Sequence, residues 1–253
     1  QLQDAQVGNT RDLERVLPGV QISESASLLF PIVSLRGVSS AQDFYNPALT
    51  VYVDGVPQLP LQAIQSLRDV DRVELLKGPQ GTLYGKSAQG GVLNIYTREP
   101  DDQTRLHLGS GVSSRGGYRL DASASGALVP QMLFGSVSLT RENAPGSLSN
   151  PVSGADHQGG ARTESGTAKL RLAPADQPWE LGLNISRECV DASQDAYVPW
   201  DDIGSRQAYV MTGMPAQYAD FVQHRCATNR SLTARYDLGD WRLTALSAWQ
   251  DLN

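Results

Sequence analysis

Side chains that build metal or redox centres are scarce in this sequence, which has only two cysteines and three histidines among 253 residues. His107, His157 and His224 show no ligand spacing with one another, which argues against a metal site. Long apolar runs are also missing, because no stretch approaches the roughly 18 consecutive apolar residues of a membrane-spanning helix. A membrane protein built from helices is therefore excluded.

Positive charge is in deficit as well, with 21 Lys+Arg against 27 Asp+Glu. This balance lacks the basic footprint of a nucleic-acid-binding protein, so no nucleic-acid partner is predicted. Serine, histidine and carboxylate residues occur without the motif context of a nucleophile or of an acid and base pair, so the sequence does not predict an enzyme. Turn-forming residues are plentiful, since the chain has 24 Gly and 14 Pro.

The two cysteines, Cys189 and Cys226, lie on either side of a polar, aromatic, proline-containing stretch. A disulfide between them would close one long loop and stabilise the fold by about 4 kcal/mol in an oxidising compartment. Two unrelated thiols are the alternative, because the sequence alone does not bring the two side chains together.

The first part of the chain mixes short helical and extended signals, which predict a small mixed α/β domain over residues 1–100. Thr10 is expected to cap a short helix over residues 11–17, since its hydroxyl can accept a hydrogen bond from a first-turn amide. Asp54 and Gly55 predict a tight turn directly after a strand. The predicted strands of this domain are residues 49–53, 72–77 and 91–97.

From residue 103 onward, apolar and polar side chains alternate in segments separated by turns or long polar loops. This pattern is typical of a transmembrane β-barrel, although a water-soluble sandwich alternates in the same way. Trp241 and Trp249 lie at the two ends of one face of the last segment, which favours a barrel with interfacial aromatic belts. We expect about seven strands, with long connections at 143–162 and 189–228.

A glycine-rich passage, residues 78–87, follows a predicted strand and ends in Gly-Lys-Ser. A phosphate-binding loop needs four residues between its two glycines, but Gln80 occupies the first glycine position. The loop must also lead into a helix, whereas Gly90, Gly91 and a strand follow here. Nucleotide binding is therefore not predicted, and the glycines are expected to serve tight turns and close packing.

The stretch that contains this passage, residues 71–95, strongly resembles the plug domain of TonB-dependent outer-membrane receptors. Further matches in the family's order are Leu-Pro-Gly-Val at 17–20, Leu-Arg-Gly at 35–37 and Val-Tyr-Val-Asp-Gly-Val at 51–56. Within the family, Gly-Lys-Ser-Ala-Gln-Gly-Gly at 85–91 is most similar to ferric-siderophore receptors, including the yersiniabactin and pesticin type.

The resemblance implies a mostly β fold, with an N-terminal mixed α/β plug domain inside an antiparallel transmembrane β-barrel of about 22 strands. Residues 1–100 then correspond to an N-terminally incomplete plug, without the segment that contacts TonB. Residues 101–253 correspond to the first barrel strands, and we expect the remainder of the barrel to be missing.

The implied function is capture of a ferric siderophore at the extracellular side and its import with TonB-derived energy. The implied location is the outer membrane of a Gram-negative bacterium, with outer-membrane lipid, the siderophore and TonB as partners. No cofactor is expected, because the iron arrives as a chelated ligand. Haem, cobalamin or a glycan are alternative ligands, and a surface-signalling receptor is an alternative function.

The resemblance also suggests site residues. Loops at the plug apex contact ligand in this family, and aromatic and amide side chains suit an aromatic chelate with carbonyl oxygens. The apical candidates are Gln42, Asp43, Phe44, Tyr45, Gln58 and Leu59. Three arginines, Arg36, Arg72 and Arg98, are candidates for charge-assisted contacts between the plug and carboxylates of the barrel wall.

Overall fold

A computed structural model describes most of the chain as two units, Gln1–Arg98 and Glu99–Asn253. The boundary lies two residues before the one predicted at residue 100. The described residues are 7–24, 31–39, 49–67, 69–84, 90–154, 156, 158–193, 204 and 222–253. The candidates Gln42, Asp43, Phe44 and Tyr45 lie outside these ranges.

Seven strands form two small sheets in the first unit. The first three strands pair antiparallel, and the other four lie in the order β5-β4-β7-β6, in which β4 and β7 run parallel. Predicted strands 49–53 and 91–97 agree with β4 and β7, and 72–77 begins two residues after β6 does. The strands are β1 (Val20–Glu24), β2 (Pro31–Leu35), β3 (Val38–Ser39), β4 (Leu49–Val53), β5 (Val56–Pro57), β6 (Val70–Lys77) and β7 (Gly91–Thr97).

Aliphatic side chains from both sheets form the core of the first unit. Leu93 and Ile95 on β7 pack with Leu49 and Val51 on β4 and with Leu35 on β2. Four consecutive residues of β7, from Val92 to Ile95, are buried, so both faces of this strand are covered. The unit is therefore a small domain with a water-excluding core of its own.

The predicted helix cap at Thr10 is wrong. The first helix is a 3-10 helix, Thr10–Arg15, and its cap is Asn9, whose side chain accepts hydrogen bonds from the amides of Arg11 and Asp12. Thr10 is completely buried, and its hydroxyl donates to the carbonyl of Ala63 at 2.7 Å. The Thr10 hydroxyl therefore bonds to the end of the 3-10 helix Pro60–Gln62 instead of capping its own helix.

The turn predicted at Asp54 and Gly55 is present. Both residues have positive φ, 49° and 81°, as a two-residue hairpin turn between β4 and β5 requires. The Asp54 carboxylate also accepts a hydrogen bond from the amide of Thr97 at 2.8 Å. The turn is thus fixed to the end of β7.

The glycine-rich passage leads from β6 into a single short helix, α1 (Gly81–Tyr84), and the next described element is β7. A side chain at Gly91 would place its Cβ 2.5 Å from the carbonyl oxygen of Leu76, so close packing of β6 on β7 requires glycine there. Tyr84 packs edge-on against Tyr52, with ring centroids 5.0 Å apart. Among the described residues, no helix has the length and hydrophobicity needed to cross a membrane.

Seven strands of the second unit form one antiparallel sheet in chain order, as predicted from the alternation of side chains. Each strand pairs with its sequence neighbours, so the sheet is a continuous meander. The strands are β8 (Arg105–Val112), β9 (Tyr118–Val129), β10 (Leu133–Ala144), β11 (Ala161–Leu172), β12 (Trp179–Ser193), β13 (Val222–Leu238) and β14 (Trp241–Leu252).

The two faces of this sheet differ sharply in chemistry. Cross-strand pairing puts Leu170, Leu183 and Leu232 in one row on what we call the apolar face. The predicted apolar positions share this face, and many are exposed, up to 77% at Trp241. The opposite polar face carries charged residues such as Asp121 and Arg235. Apolar side chains of the apolar face include Leu106, Leu108, Val112, Tyr118, Leu120, Ala122, Ala124, Leu128, Val137, Leu139, Ala168, Leu170, Leu172, Trp179, Leu181, Leu183, Ile185, Leu232, Ala234, Tyr236, Leu238, Trp241, Leu243, Ala245 and Trp249.

The predicted connection 189–228 is too long. Strand β12 continues to Ser193 and β13 begins at Val222, so both cysteines lie inside paired strands. The predicted connection 143–162 agrees with the structure to within two residues at each end. Long connections thus occur at one end of the sheet, and 130–132, 173–178 and 239–240 are the short connections at the other.

Candidate functional site

Two apical ligand candidates, Gln58 and Leu59, lie just after β5 in the first unit. Gln58 is only 8% exposed, and its side-chain amide donates to the carbonyl of Val56 at 3.0 Å. Leu59 is 37% exposed and precedes the 3-10 helix Pro60–Gln62. Leu59 is therefore partly exposed on the surface of the unit, whereas the Gln58 amide takes part in the local fold.

The three arginines predicted as contacts between domains have partners within the first unit. Arg72 donates to Glu74 at 2.7 Å and stacks over the ring of Tyr96, with 3.8 Å between its guanidinium carbon and the ring centroid. The bond to Glu74 raises the pKa of the Arg72 guanidinium, and burial raises the pKa of Tyr96. These partners orient Arg72 on the surface of the unit.

The other two arginines are held more loosely. Arg98 lies 3.9 Å from the carboxylate of Asp69. Arg36 adopts a positive φ of 53° at the end of β2, and its amide donates to the carbonyl of Gly19 at 2.7 Å. The predicted role of these arginines between domains stays a prediction.

A charge cluster lies on the polar face at the short-connection end of the sheet. Arg171 donates to Glu180 at 3.0 and 2.7 Å, and Arg235 bonds to the same carboxylate and to Glu99. Glu99 is the first residue of the second unit. The cluster joins strands β11, β12 and β13 to the residue at which the chain enters this unit.

Further hydrogen bonds fix the segment between Glu99 and β8. The Asp101 carboxylate accepts from Arg105 at 2.6 and 2.8 Å. The Asp102 carboxylate accepts from the amide of Gln131, in the turn between β9 and β10, at 3.2 Å. The entry segment is therefore attached to the sheet through Glu99, Asp101 and Asp102.

Two more charged groups lie on the polar face toward the long-connection end. Asp121 contacts His107 at 2.7 Å and Arg119 at 3.2 Å. Arg225 donates to Glu188 at 2.8 Å, with both side chains largely buried. These ion pairs were not among the predictions made from the sequence. The signal available in the sequence was that charged residues occupy the strand positions between the apolar ones, which places them together on the opposite face.

A disulfide joins Cys189 to Cys226, directly across the β12 and β13 ladder. On the apolar face, these cysteines belong to a charged margin near the long connections. The His224 ring lies between them and Asp191, with Nε2 3.3 Å from the Cys226 sulfur. Within the described ranges, no three His, Cys, Asp or Glu side chains gather as a metal site.

Comparison with known proteins connects these features to a family. The model of the TonB-dependent receptor plug domain matches residues 1–92. The pesticin receptor of Yersinia pestis is 52% identical over 250 residues, which are 99% of this chain and 37% of that protein. The chain therefore spans well under half the length of this relative.

Solved structures extend the likeness to the fold. The ferric yersiniabactin uptake receptor FyuA from Yersinia pestis aligns with a TM-score of 0.94 and 52% identity, over 99% of this chain and 39% of that one. The pyoverdine outer-membrane receptor FpvA from Pseudomonas aeruginosa PAO1 aligns with a TM-score of 0.76 at 16% identity, over 98% of this chain and 35% of that one. These proteins are described as receptors and not as enzymes.

Proposed function

We propose that this chain, which belongs to the TonB-dependent outer-membrane receptors, supplies the plug and the first seven barrel strands of a receptor that imports a ferric siderophore. On this proposal TonB supplies the energy, the iron arrives chelated, and the protein needs no cofactor of its own. The likeness to a ferric yersiniabactin uptake receptor, at 52% identity, is the observation that carries the proposal.

The proposed ligand class rests on the difference in sequence identity between this chain and two siderophore receptors. Identity to the pyoverdine receptor is 16%, although the folds agree over almost the same length of chain. A ligand of the yersiniabactin type is therefore favoured over a pyoverdine within one shared architecture. Haem and cobalamin are the alternative ligands that an uptake experiment separates. A glycan ligand and a signalling role are further alternatives.

The two units suit such a receptor physically. A wide barrel leaves an open channel, and a separately folded domain can close it. The first unit has its own core, and the sheet has one apolar face suited to lipid and one charged face suited to a polar interior. We propose residues 1–98 as the plug and 99–253 as barrel wall.

Uptake of radioactive iron by cells that make no siderophore tests the proposal. The receptor, as the cell produces it, is expressed in a strain lacking other iron receptors, and ferric yersiniabactin, ferric pyoverdine, haem or labelled cobalamin is supplied. We expect uptake from ferric yersiniabactin only, and its loss when the tonB gene is deleted. Uptake that persists without TonB, or that occurs with cobalamin alone, would contradict the proposal.

The proposed ligand contacts are Gln42, Asp43, Phe44, Tyr45 and Leu59, with Gln58 as a supporting residue. The double replacement Phe44→Ala with Tyr45→Ala is expected to weaken binding of ferric yersiniabactin by at least tenfold, as read from quenching of tryptophan fluorescence. Gln58→Ala is the comparison variant, because the Gln58 side-chain amide is hydrogen-bonded to the carbonyl of Val56. It should reduce the thermal stability of the plug more than the affinity.

A further inference from the structure

The disulfide on the apolar face has a histidine and a carboxylate beside it. His224 lies two residues before Cys226 on β13, and its Nε2 atom is 3.3 Å from the Cys226 sulfur. The Nδ1 atom of the same ring contacts a carboxylate oxygen of Asp191. Asp191 pairs with His224 across the β12 and β13 ladder, and Cys189 pairs with Cys226 in the next row of the same face. A carboxylate, an imidazole and a sulfur are therefore in contact, one after the other.

This arrangement orients the His224 ring toward one of the two sulfurs. Asp191 accepts the hydrogen on Nδ1, so the Nε2 atom faces Cys226. In the imidazolium form, Nε2 carries a proton that it can give to a thiolate forming on Cys226. A sulfur leaves a disulfide faster when its thiolate is stabilised. Cys226 is therefore the sulfur that this disulfide releases more easily.

The other sulfur, on Cys189, is the one that a reagent can reach. Among the described residues, Cys226 is only 9% exposed, whereas Cys189 is half-buried and lines a cavity of about 870 Å³ on the apolar face. A cavity of this size admits a small molecule. Arg187 lines the same cavity, and a guanidinium group favours the thiolate form of an incoming thiol. The surroundings of the disulfide thus favour attack by a small thiolate on Cys189.

Other bonds keep the two strands paired beside the disulfide. The Cys226 amide donates to the carbonyl of Asn253 at 2.8 Å, and the Asn253 amide donates back to the carbonyl of Cys226 at 2.9 Å. On the polar face, Arg225 donates to Glu188 at 2.8 Å across the same two strands. These bonds would hold the two cysteines near each other after the disulfide opens, so an exchange reaction at this point can be reversed.

We propose that this disulfide is a thiol-exchange site for a small-molecule thiol. The thiolate attacks the Cys189 sulfur, forms a new S–S bond there and breaks the bond to Cys226. The Nε2 proton of His224 passes to the Cys226 sulfur, and the proton that the thiol lost returns to the ring through solvent. The incoming sulfur is oxidised, the Cys226 sulfur is reduced to a thiol, and no further oxidant or reductant is needed. This site does not depend on which ligand the receptor imports.

Mass spectrometry of the receptor, as the cell produces it, tests the site. Purified receptor in detergent is treated with mercaptoethanesulfonate at neutral pH and quenched with acid, and the released thiol is trapped with N-ethylmaleimide before peptide mapping. We expect the mixed disulfide on Cys189 and the trapped thiol on Cys226, in about tenfold excess over the reverse arrangement. His224→Gln should lower the exchange rate about tenfold and bring the two arrangements closer to equality.

Two further variants separate general acid chemistry from a loss of charge or of any histidine. His107→Gln removes a histidine from the polar face of β8 and should change the exchange rate less than about twofold. Asp191→Asn keeps a hydrogen-bond partner for the His224 ring but removes the charge, so it should lower the rate less than His224→Gln does. A heat-modifiability gel confirms that each variant is folded. A receptor that does not react, a mixed disulfide mainly on Cys226, or equal rates in wild type and His224→Gln would overturn the proposal.

Discussion

The first unit, the proposed plug, and the second unit, the proposed barrel wall, place their aliphatic side chains in opposite ways. In the plug, aliphatic residues such as Leu93 and Ile95 are inside and fully buried. In the wall, leucines such as Leu183 stand exposed, while the charged residues Asp121 and Arg225 are buried on the polar face. On the proposed assignment, one chain is adapted to two surroundings, an aqueous one at the plug and hydrocarbon at the wall.

This inversion changes what stabilises each region. Burial of apolar surface and close packing stabilise the plug. The wall gains little from burying its leucines against protein, so its strand ladder, polar clusters and disulfide must hold it together. Identical substitutions should consequently have different effects in the two regions.

The largest expected effect concerns the disulfide, since the wall lacks a packed aliphatic core among its described residues. Replacing both Cys189 and Cys226 by serine should lower the free energy of unfolding by about 4 kcal/mol, because a loop spanning 37 positions is released in the unfolded chain. Chemical denaturation of the receptor in lipid vesicles measures this. Reductant should destabilise the wild type equally and leave the double variant unchanged.

A leucine-to-alanine pair compares the two regions directly. Leu93→Ala should cost roughly 3 to 4 kcal/mol, since it opens a cavity in a core where Leu93 is completely buried. Leu183→Ala should cost about 1 kcal/mol, because lipid chains fill the space that the side chain leaves. Hydrogen exchange of the β7 and β12 amides reads each region separately. Similar losses at the two sites would contradict the inversion.

Charge placed on the two faces of the wall sharpens the comparison. Leu183→Arg puts a cation in the apolar stretch of β12 and should cost roughly 2 to 3 kcal/mol. Thr233→Arg on β13 points to the polar face and should cost under about 1 kcal/mol. Folding yield into vesicles of decreasing thickness, followed by denaturation, gives both values. If Thr233→Arg were the more harmful change, the assignment of the faces would be reversed.

Local signals in the sequence predicted much of the strand order but not where the long strands end. The predicted strand β12 stopped near Cys189, whereas the real strand continues to Ser193. Beyond Arg187 the alternation inverts, since Val190 and Ala192 are buried on the polar face while Asp191 stands on the apolar face. A prediction that assumes one unbroken alternation of apolar and polar residues therefore ends the strand too early, near Arg187.

The polar clusters could not be predicted because strand register brings together residues far apart in the chain. Glu99 meets Arg235 across 136 positions, and neither residue carries a local motif. The same limitation explains Thr10, whose hydroxyl bonds to Ala63 across 53 positions. The resemblance to a family was enough to identify the plug. The ion-pair and hydrogen-bond partners of individual residues could be identified only from the three-dimensional structure.

The smallest expected effect lies in the plug at Tyr52, whose hydroxyl donates to the carbonyl of Tyr84 at 2.7 Å. Tyr52→Phe should cost about 1 kcal/mol, the net value of one hydrogen bond. Tyr236→Phe, on the apolar face of the wall, is the matched control and should change stability by less than about 0.5 kcal/mol.

Burial, reinforced by Tyr84, raises the pKa of Tyr52 above its ordinary value of 10.0. The neutral phenol is thus favoured in the folded plug, so its contribution is complete below pH 10 and is lost as the pH rises through the raised pKa. Urea midpoints of the plug, measured from pH 8 to pH 11, should fall more steeply in wild type than in Tyr52→Phe. Parallel curves would show that ionisation of Tyr52 is not coupled to folding of the plug.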